Sequence, residues 1–150
     1  MYHVGTPPLK VMIFMQTYRQ QIYEYIKETY RASPEYLWMR YPDYAVFRHA
    51  DNQKWFCIVM DVPRDKLGLT GTERVDVLNV KMHDVLEADF LKQQPGYLRG
   101  YHLGGNCWVS ILLDGTVPLS EICAHIDESF RNTAAKKHVA ASSRNGIHNV

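Results

Sequence analysis

The stretch GYHLGGNCWVSILLDG, Gly100–Gly115, fits either a ligand-binding loop or the turn of a β-hairpin. Its glycine pair lies beside a histidine, a cysteine and a tryptophan, as in a phosphate-binding loop or a metal site. No helical pattern follows the glycines, so no helix N-terminus is available to hold a phosphate. Strand-like runs, YLRGYHL and CWVSILL, flank a short Gly/Asn connection that supplies the positive φ angles of a tight turn. The stretch therefore predicts a β-hairpin.

Three more strand-like runs precede this hairpin. YAVFRH and KWFCIVMDV are separated by the loop ADNQ, which predicts another hairpin. The third run is Arg74–Lys81, RVDVLNVK, in which the adjacent Val77 and Leu78 break strict alternation. Such a pair predicts either a β-bulge or burial on both faces of the sheet. In the last predicted strand, alternation separates two sets of side chains: Cys107, Val109, Ile111 and Leu113 on one face, and Trp108 and Ser110 on the other.

Three helices are predicted around these strands. The first, TYRQQIYEYIKETYR, starts with a capping box of Thr17 and Gln20 and stops before Pro34. A short helix, DVLEADFLKQ, carries Leu86 and Phe90 four residues apart. The order of the elements predicts an α+β two-layer sandwich, in which an antiparallel β-sheet has helices packed on one face. The clearest apolar stripe belongs to the last helix, PLSEICAHIDESF, and consists of Leu119, Ile122, Cys123, Ile126 and Phe130.

The length of 150 residues fits one domain with extensions at both ends. Residues 1–14 have no clear period and contain a Pro-Pro break, so they are predicted to form an N-terminal extension, with Met15 as the expected initiator. The domain is predicted to span residues 15–133. Residues 134–150 lack an apolar stripe and are predicted to form a flexible C-terminal tail.

The net charge of +1 is unevenly distributed along the chain. All sixteen acidic residues lie between Glu24 and Glu128, whereas four of the seventeen basic residues lie beyond Phe130. The body of the chain is therefore slightly acidic, which argues against a broad basic surface for nucleic acid but is compatible with a local basic patch. No apolar run is long enough to span a bilayer and no signal peptide is recognised, so a cytoplasmic location without membrane association is expected.

No pattern in the sequence predicts a catalytic or metal centre. His102 and Cys107 supply at most half of a zinc site, because the other candidate ligands, His49 and His83, are scattered. Motifs for nucleotide binding, metalloproteases and serine hydrolases are missing, so a non-enzymatic protein without a metal or cofactor is expected. The cysteines lie in strand or helix runs without an activating neighbour, which favours buried free thiols at Cys57, Cys107 and Cys123.

Basic and aromatic residues interleave on the predicted strands and turns. Such an arrangement can bind nucleic acid through stacking and phosphate contacts. In the alternative interpretation, Trp55 and Trp108 pack the core or the open sheet face and the cations are only solvated; composition alone favours this interpretation. The candidate nucleic-acid-binding residues are Arg48, Lys54, Trp55, Lys81, Arg99, Tyr101, His102 and Trp108.

Residues 18–133 resemble the MmcQ/YjbR family of small bacterial proteins. The resemblance is carried by VFRHADNQKWFCIVMDVPRDKLGL, VDVLNVK and PGYLRGYHLGGNCWVSILLDGTVPLSEICAHIDESF, and the combination of these motifs is specific as a set. It implies a frataxin-like (CyaY-like) α/β sandwich and a DNA-binding role in which hairpins act as wings. On this sequence the implied role maps to Lys54, Trp55, Lys81, Tyr101, His102 and Trp108.

One departure from the family pattern concerns the turn of the second hairpin. Relatives typically carry Asn-Lys at the places of Gly104 and Gly105. If that lysine contacts phosphate in relatives, this chain lacks one charge-assisted contact, worth on the order of 1–2 kcal/mol. The hypothesis is a non-enzymatic module that binds double-stranded DNA, with phosphate contacts from Lys54, Lys81 and Arg99. The alternative is an adaptor that binds a protein partner or a small ligand on the open sheet face.

Overall fold

Five strands form the sheet of the protein, whose computed structural model describes residues 16–136. All neighbouring strands pair antiparallel, in the spatial order β1-β2-β3-β5-β4. The predicted hairpins are confirmed as β1–β2 and β4–β5. The predicted extension, residues 1–14, and most of the predicted tail, residues 134–150, lie outside the described residues. In chain order the strands are β1 (Ala45–Arg48), β2 (Trp55–Pro63), β3 (Arg74–Lys81), β4 (Tyr97–Arg99) and β5 (Trp108–Leu112).

Three helices, α1 (Tyr18–Tyr30), α2 (Val85–Lys92) and α3 (Leu119–Thr133), pack on one side of the sheet, which we name the helix face. This confirms the predicted α+β arrangement. The predicted capping box starts α1, with the Thr17 hydroxyl accepting from the Gln20 N–H and the Gln20 side chain accepting from the Thr17 N–H. None of the helices in the described part of the chain is both long and apolar enough to cross a membrane.

The helix α2 is present where the sequence predicts it, but its apolar pair points to solvent. Leu86 and Phe90 are 80% and 63% exposed, whereas Ala88 and Leu91 are buried. This helix packs over β4 and β5 at one edge of the sheet. Because β4 has only three residues, it supports a narrow strip of the helix and leaves the side carrying Leu86 and Phe90 uncovered.

The opposite side of the sheet, which we name the loop face, is also apolar. Val77 and Leu78 are fully buried in different clusters, one on each face, so two-sided burial explains their broken alternation. The register between β2 and β3 runs without a shift; the irregularity of the sheet lies between β1 and β2. Loops cover part of the loop face with side chains that are partly buried against it, among them Trp38, Leu67, Leu69, Tyr101 and Leu103.

The outer edge of β1 is paired with the chain segment that precedes it. The Glu35 N–H donates to the Val46 carbonyl and the Val46 N–H donates to the Glu35 carbonyl, each at 2.9 Å. This isolated bridge holds residues 31–44 against the sheet and directs them across the loop face.

Candidate nucleic-acid interface

The ends of four neighbouring strands carry candidate residues side by side. Arg48 ends β1 and pairs with Trp55 at the start of β2, while Lys81 ends β3 and pairs with Trp108 at the start of β5. Side chains alternate along a strand, and the residues adjoining Arg48, Lys81 and Trp108 point into the helix-face core. These three therefore share the loop face with Trp55. We name Arg48, Trp55, Lys81 and Trp108 the strand-end row; each is partly exposed, and adjacent strands lie about 4.8 Å apart.

Arg48 is already occupied by a carboxylate. Its Nε lies 2.6 Å from Glu35 Oε2 and its Nη2 lies 2.7 Å from Glu35 Oε1, a bidentate pair. The hydrogen bond from Arg48 lowers the pKa of Glu35, and the same bond raises the pKa of Arg48. Lys81 takes part in no ion pair within the described residues. Lys81 is thus the cation that the row itself offers to an anionic ligand.

Two other predicted cations flank the row. Lys54 is exposed in the β1–β2 turn, where its N–H donates to Asn52 Oδ1 at 2.9 Å. Arg99 ends β4 and is paired with Val109, whose side chain lies in the helix-face core; directly paired residues point to the same side of a sheet, so the Arg99 side chain points away from the loop face. The structure therefore brings Lys54 to the same end of the sheet as the row and sets Arg99 apart from it.

The loop of the second hairpin is longer than its sequence pattern predicts. Residues 100–107 connect the two strands, rather than Gly104–Asn106 alone. Gly100 lies so close to Trp108 that an added Cβ would come within 2.8 Å of the Trp108 Cβ and 2.9 Å of its carbonyl oxygen. His102 adopts a left-handed φ of 58°. The chain therefore leaves the sheet at Gly100 and turns over the loop face.

A buried polar pair holds this loop in place. Ser110 Oγ donates to Asn79 Oδ1 and accepts from the Tyr101 N–H, the latter at 3.0 Å. Both Ser110 and Asn79 are fully buried, and Asn79 Nδ2 also donates to the Ile58 carbonyl at 3.4 Å. Tyr101 in turn contacts His102: the two rings pack edge-on, with their centroids 4.0 Å apart. Strands β3 and β5 thus position the predicted site residues Tyr101 and His102.

An aromatic cavity of about 300 Å³ opens on the loop face. Trp38 stands perpendicular to Trp55, with ring centroids 5.7 Å apart and an interplanar angle of 88°. Tyr41 stacks on Tyr44 at 4.7 Å and 13°. Burial, followed by the nearby Tyr101 phenol, raises the pKa of Tyr44. We name the cavity the aromatic pocket; its lining is Trp38, Tyr41, Tyr44, Trp55, Met60, His102 and Leu103.

A more polar groove of about 470 Å³ adjoins the aromatic pocket. His102 and Leu103 line both cavities, and Lys66 and Arg99 are the basic residues of the groove. Three predicted residues therefore border one surface. The full lining is Lys66, Leu67, Leu98, Arg99, Gly100, Tyr101, His102 and Leu103.

Two of the cysteines are poor nucleophiles. Burial raises the pKa of the fully buried Cys57 well above its ordinary value. Burial also raises the pKa of the half-buried Cys123, with a further contribution from Asp127. Because the thiolate is the reactive form, both shifts favour the inert thiol. All three cysteines are free, and residues 16–136 contain no group of three His, Cys, Asp or Glu side chains placed to hold a metal ion.

Sequence reasoning missed the residues that complete the aromatic pocket and those that support it. Trp38, Tyr41 and Tyr44 belong to EYLWMRYPDY, residues 35–44, which has neither a helical nor a strand period. The density of aromatic residues in that stretch is the signal that could have indicated a binding surface. Asn79 and Ser110 stand out only as polar residues within apolar strands.

Comparison with known proteins places this architecture among characterised folds. The sequence model of the YjbR family matches residues 27–132. YyaQ of Bacillus subtilis (strain 168), described as an uncharacterized protein, is 41% identical over 115 residues, which cover 77% of this chain and 97% of YyaQ. A crystal structure from Pseudomonas syringae has a TM-score of 0.74 at 39% identity and covers 77% of this chain and 98% of its own. A solution NMR structure from the same organism has a TM-score of 0.71 at 38% identity, with coverages of 80% and 95%.

A more distant likeness extends the fold to another organism. The DUF419 domain of a Deinococcus radiodurans protein has a TM-score of 0.57 at 19% identity and covers 77% of each chain. The family match and the 41% identity to YyaQ confirm the resemblance carried by the sequence motifs. The chain belongs to the YjbR family.

Proposed function

We propose that this protein is a non-enzymatic nucleic-acid-binding module that holds DNA against the loop face of its sheet. The observation that carries the proposal is the strand-end row, in which cations and indole rings alternate across four neighbouring strands. Ammonium groups contact phosphates and indole rings stack on bases, so one row offers both kinds of contact.

The available charge limits the strength of this interface. Because Arg48 is bonded to Glu35, the phosphate contacts come from Lys54 and Lys81, with Lys66 at the neighbouring groove. Two to three contacts correspond to a slope of about −2 to −3 when the logarithm of the binding constant is plotted against that of the salt concentration. Binding is therefore expected at low salt and weakens as salt is added.

Fluorescence anisotropy with labelled duplex and single-stranded DNA at low salt tests the proposal. Lys81→Ala is expected to weaken binding of every sequence and to reduce the salt slope by about 1. Lys27→Ala removes the same charge from an exposed position on α1 and is the matched control. No binding at micromolar protein, or equal losses in the two variants, would overturn the proposal.

An adaptor that binds a protein or a small ligand is the second candidate function. One observation favours it: residues 36–41 expose four large apolar side chains, each at least 45% accessible. Exposed apolar clusters of this kind occur at interaction sites. A thermal-shift screen separates the two functions. A rise in Tm with a small ligand or a protein partner, and no rise with DNA, favours the adaptor. The exposed residues are Tyr36, Leu37, Met39 and Tyr41.

A further inference from the structure

We infer that the aromatic pocket binds one unpaired nucleobase of a nucleic-acid strand. The inference rests on the proposed nucleic-acid function and gives it a substrate class, namely strands with unpaired bases rather than intact duplex. Three properties of the pocket support it: the arrangement of its rings, its size and the charges beside it.

The walls of the pocket are rings that hold one another in place. Trp38 stands perpendicular both to Trp55, at 5.7 Å, and to Tyr44, at 6.0 Å and 77°. Met60, only 4% exposed, closes the inner side. Rigid aromatic surfaces bind flat ring systems by stacking, and they tolerate any base because every base has a π-face.

The pocket has the size of one ring system. Its volume of about 300 Å³ is at the small end of cavities that bind organic ligands. A base stacked inside a duplex cannot enter such a cavity unless it is extruded, which breaks its pairing and stacking. Bases in single strands, at ends and in mismatches avoid this cost, so the pocket favours them over paired bases.

Neighbouring charges favour an anionic ligand over a cationic one. Aromatic cages also bind ammonium groups, through the negative faces of their rings. Here Arg40 directly precedes the pocket residue Tyr41 in the chain and is exposed, so a cationic ligand would meet a like charge. Asp61, whose charge acts on Tyr44, is held in an ion pair with Arg74 at 2.8 Å. A base that carries a phosphate suits this surrounding better than an ammonium group.

His102 connects the pocket to the polar groove. Its side chain lines both cavities, and its neighbour Tyr101 is anchored through the backbone to Ser110. The groove adds Lys66. A strand that leaves the pocket past His102 therefore meets a further cation, so the site extends beyond a single nucleotide.

Intrinsic fluorescence is a direct readout, because two of the three tryptophans of the protein line the pocket. The probes are an oligothymidylate of about eight nucleotides, an abasic strand of the same length, the paired duplex and thymidine monophosphate. The oligothymidylate is expected to quench the tryptophans and to bind more tightly than the abasic strand and the duplex. Anisotropy with the labelled forms measures each affinity separately.

Tyr41→Ala tests the pocket itself. Removing this rim tyrosine is expected to weaken oligothymidylate binding about tenfold, while affinity for the abasic strand and the duplex stays unchanged. Tyr36→Ala is the matched control, because Tyr36 lies on the same loop, is 54% exposed and does not line the pocket. Circular dichroism confirms that both variants retain the fold.

The outcomes separate this inference from the proposed function. Equal binding of duplex and single strand, with no loss in Tyr41→Ala, overturns the pocket inference and leaves the strand-end row as the interface. No binding of any nucleic acid or nucleotide overturns both. Tyr41-dependent binding of thymidine monophosphate without binding of the strands supports the pocket, identifies a free nucleotide as its source and overturns the proposed function.

Discussion

Ser110 links the two strands and the loop on which the candidate site depends. Its hydroxyl bonds Asn79 on β3 and receives the N–H of Tyr101 from the β4–β5 loop. No buried side-chain polar atom of the described residues lacks a partner, so this pair is fully satisfied. Removing one member leaves the other partners buried without their hydrogen bonds, which costs more than the bond itself contributes.

Ser110→Ala is expected to lower the free energy of unfolding by about 1–3 kcal/mol and to speed hydrogen exchange at the Tyr101 amide. Urea titration and amide exchange measure the two effects. Ser120→Ala, at an exposed position on α3, is the matched control and is expected to change stability by less than about 0.5 kcal/mol. Unchanged exchange at Tyr101 would show that Ser110 does not hold the loop.

Gly100 and Gly104 give a contrasting pair in the same loop. Gly100→Ala forces a Cβ to within 2.8 Å of Trp108, so the loop must shift, with an expected loss of about 1–3 kcal/mol. Gly104→Ala places its Cβ in open space and is expected to be nearly neutral. Thermal unfolding of the two variants checks the difference, and equal melting temperatures would contradict the described contact.

The sequence draws attention to the wrong glycine. The pair Gly104–Gly105 is conspicuous in GYHLGGNC, whereas the sterically constrained residue is Gly100, at the end of the first strand-like run. Its constraint comes from Trp108 on the neighbouring strand. Such a contact depends on the pairing register, and periodicity along one strand carries no information about it.

Periodicity predicted the helices α1 and α3 because each buries a regular set of side chains, whereas α2 was predicted from Leu86 and Phe90, which the structure leaves exposed. The capping box of α1 and the stripe of α3 were recognisable for the same reason. The segment covering the loop face, residues 31–44, was not recognisable, since its aromatic side chains pack without a repeat. The sequence pattern of α2 does not show which side of the helix is buried. That depends on the strands beneath the helix, one of which, β4, has only three residues.

The contact between α2 and α3 carries an acidic group with an unusual pKa. Burial, followed by the neighbouring Glu87 carboxyl on α2, raises the pKa of Glu128 on α3 to about 7, while the His83 backbone and Arg131 oppose the shift. The folded state therefore retains a proton between the ordinary pKa of 4.5 and about 7 that the unfolded chain has released. Stability from this group is present at low pH and is lost as the pH rises through that window.

Glu128→Gln keeps the neutral form at every pH, so the variant is expected to be more stable than the wild type at about pH 8 and equally stable near pH 5. The pKa of His125 is lowered by burial, so its protonation destabilises the fold as the pH falls. Because His125 Nδ1 lies 3.7 Å from Glu128 Oε1, the two proteins are compared in a His125→Gln background, which removes this titration. Urea unfolding at the two pH values measures the difference in the free energy of unfolding between the variant and the wild type. A difference that does not change with pH would contradict the assigned titration.

The arrangement of the whole sheet determines whether a candidate interface exists at all. Chain order and the hairpin pattern predict that β4 and β5 pair, but they leave open which of the two lies beside β3. In the structure β5 does, and this places Trp108 beside Lys81. With the other order the strand-end row would be interrupted. The row therefore follows from the topology, which the sequence pattern does not determine, although all four of its residues are among the candidates that the sequence suggests.

Gly104→Lys tests the interface on the scale of the whole molecular surface. Gly104 has open space for a side chain and a φ outside the left-handed region, unlike Gly105. The added charge is expected to tighten DNA binding at low salt and to steepen the salt slope by about 1. Anisotropy across a salt series measures both quantities, and an unchanged slope would show that DNA does not approach this turn.

The bridge between Glu35 and Val46 has a consequence for how copies of this protein meet. Edge strands with unpaired backbone groups are templates for intermolecular β-sheet growth. Here the chain itself occupies part of the outer edge of β1, and the strand at the other edge, β4, is only three residues long. Little backbone is left on which a foreign strand or a second molecule could extend the sheet, so recognition falls to side chains and the protein is protected from fibril-like association.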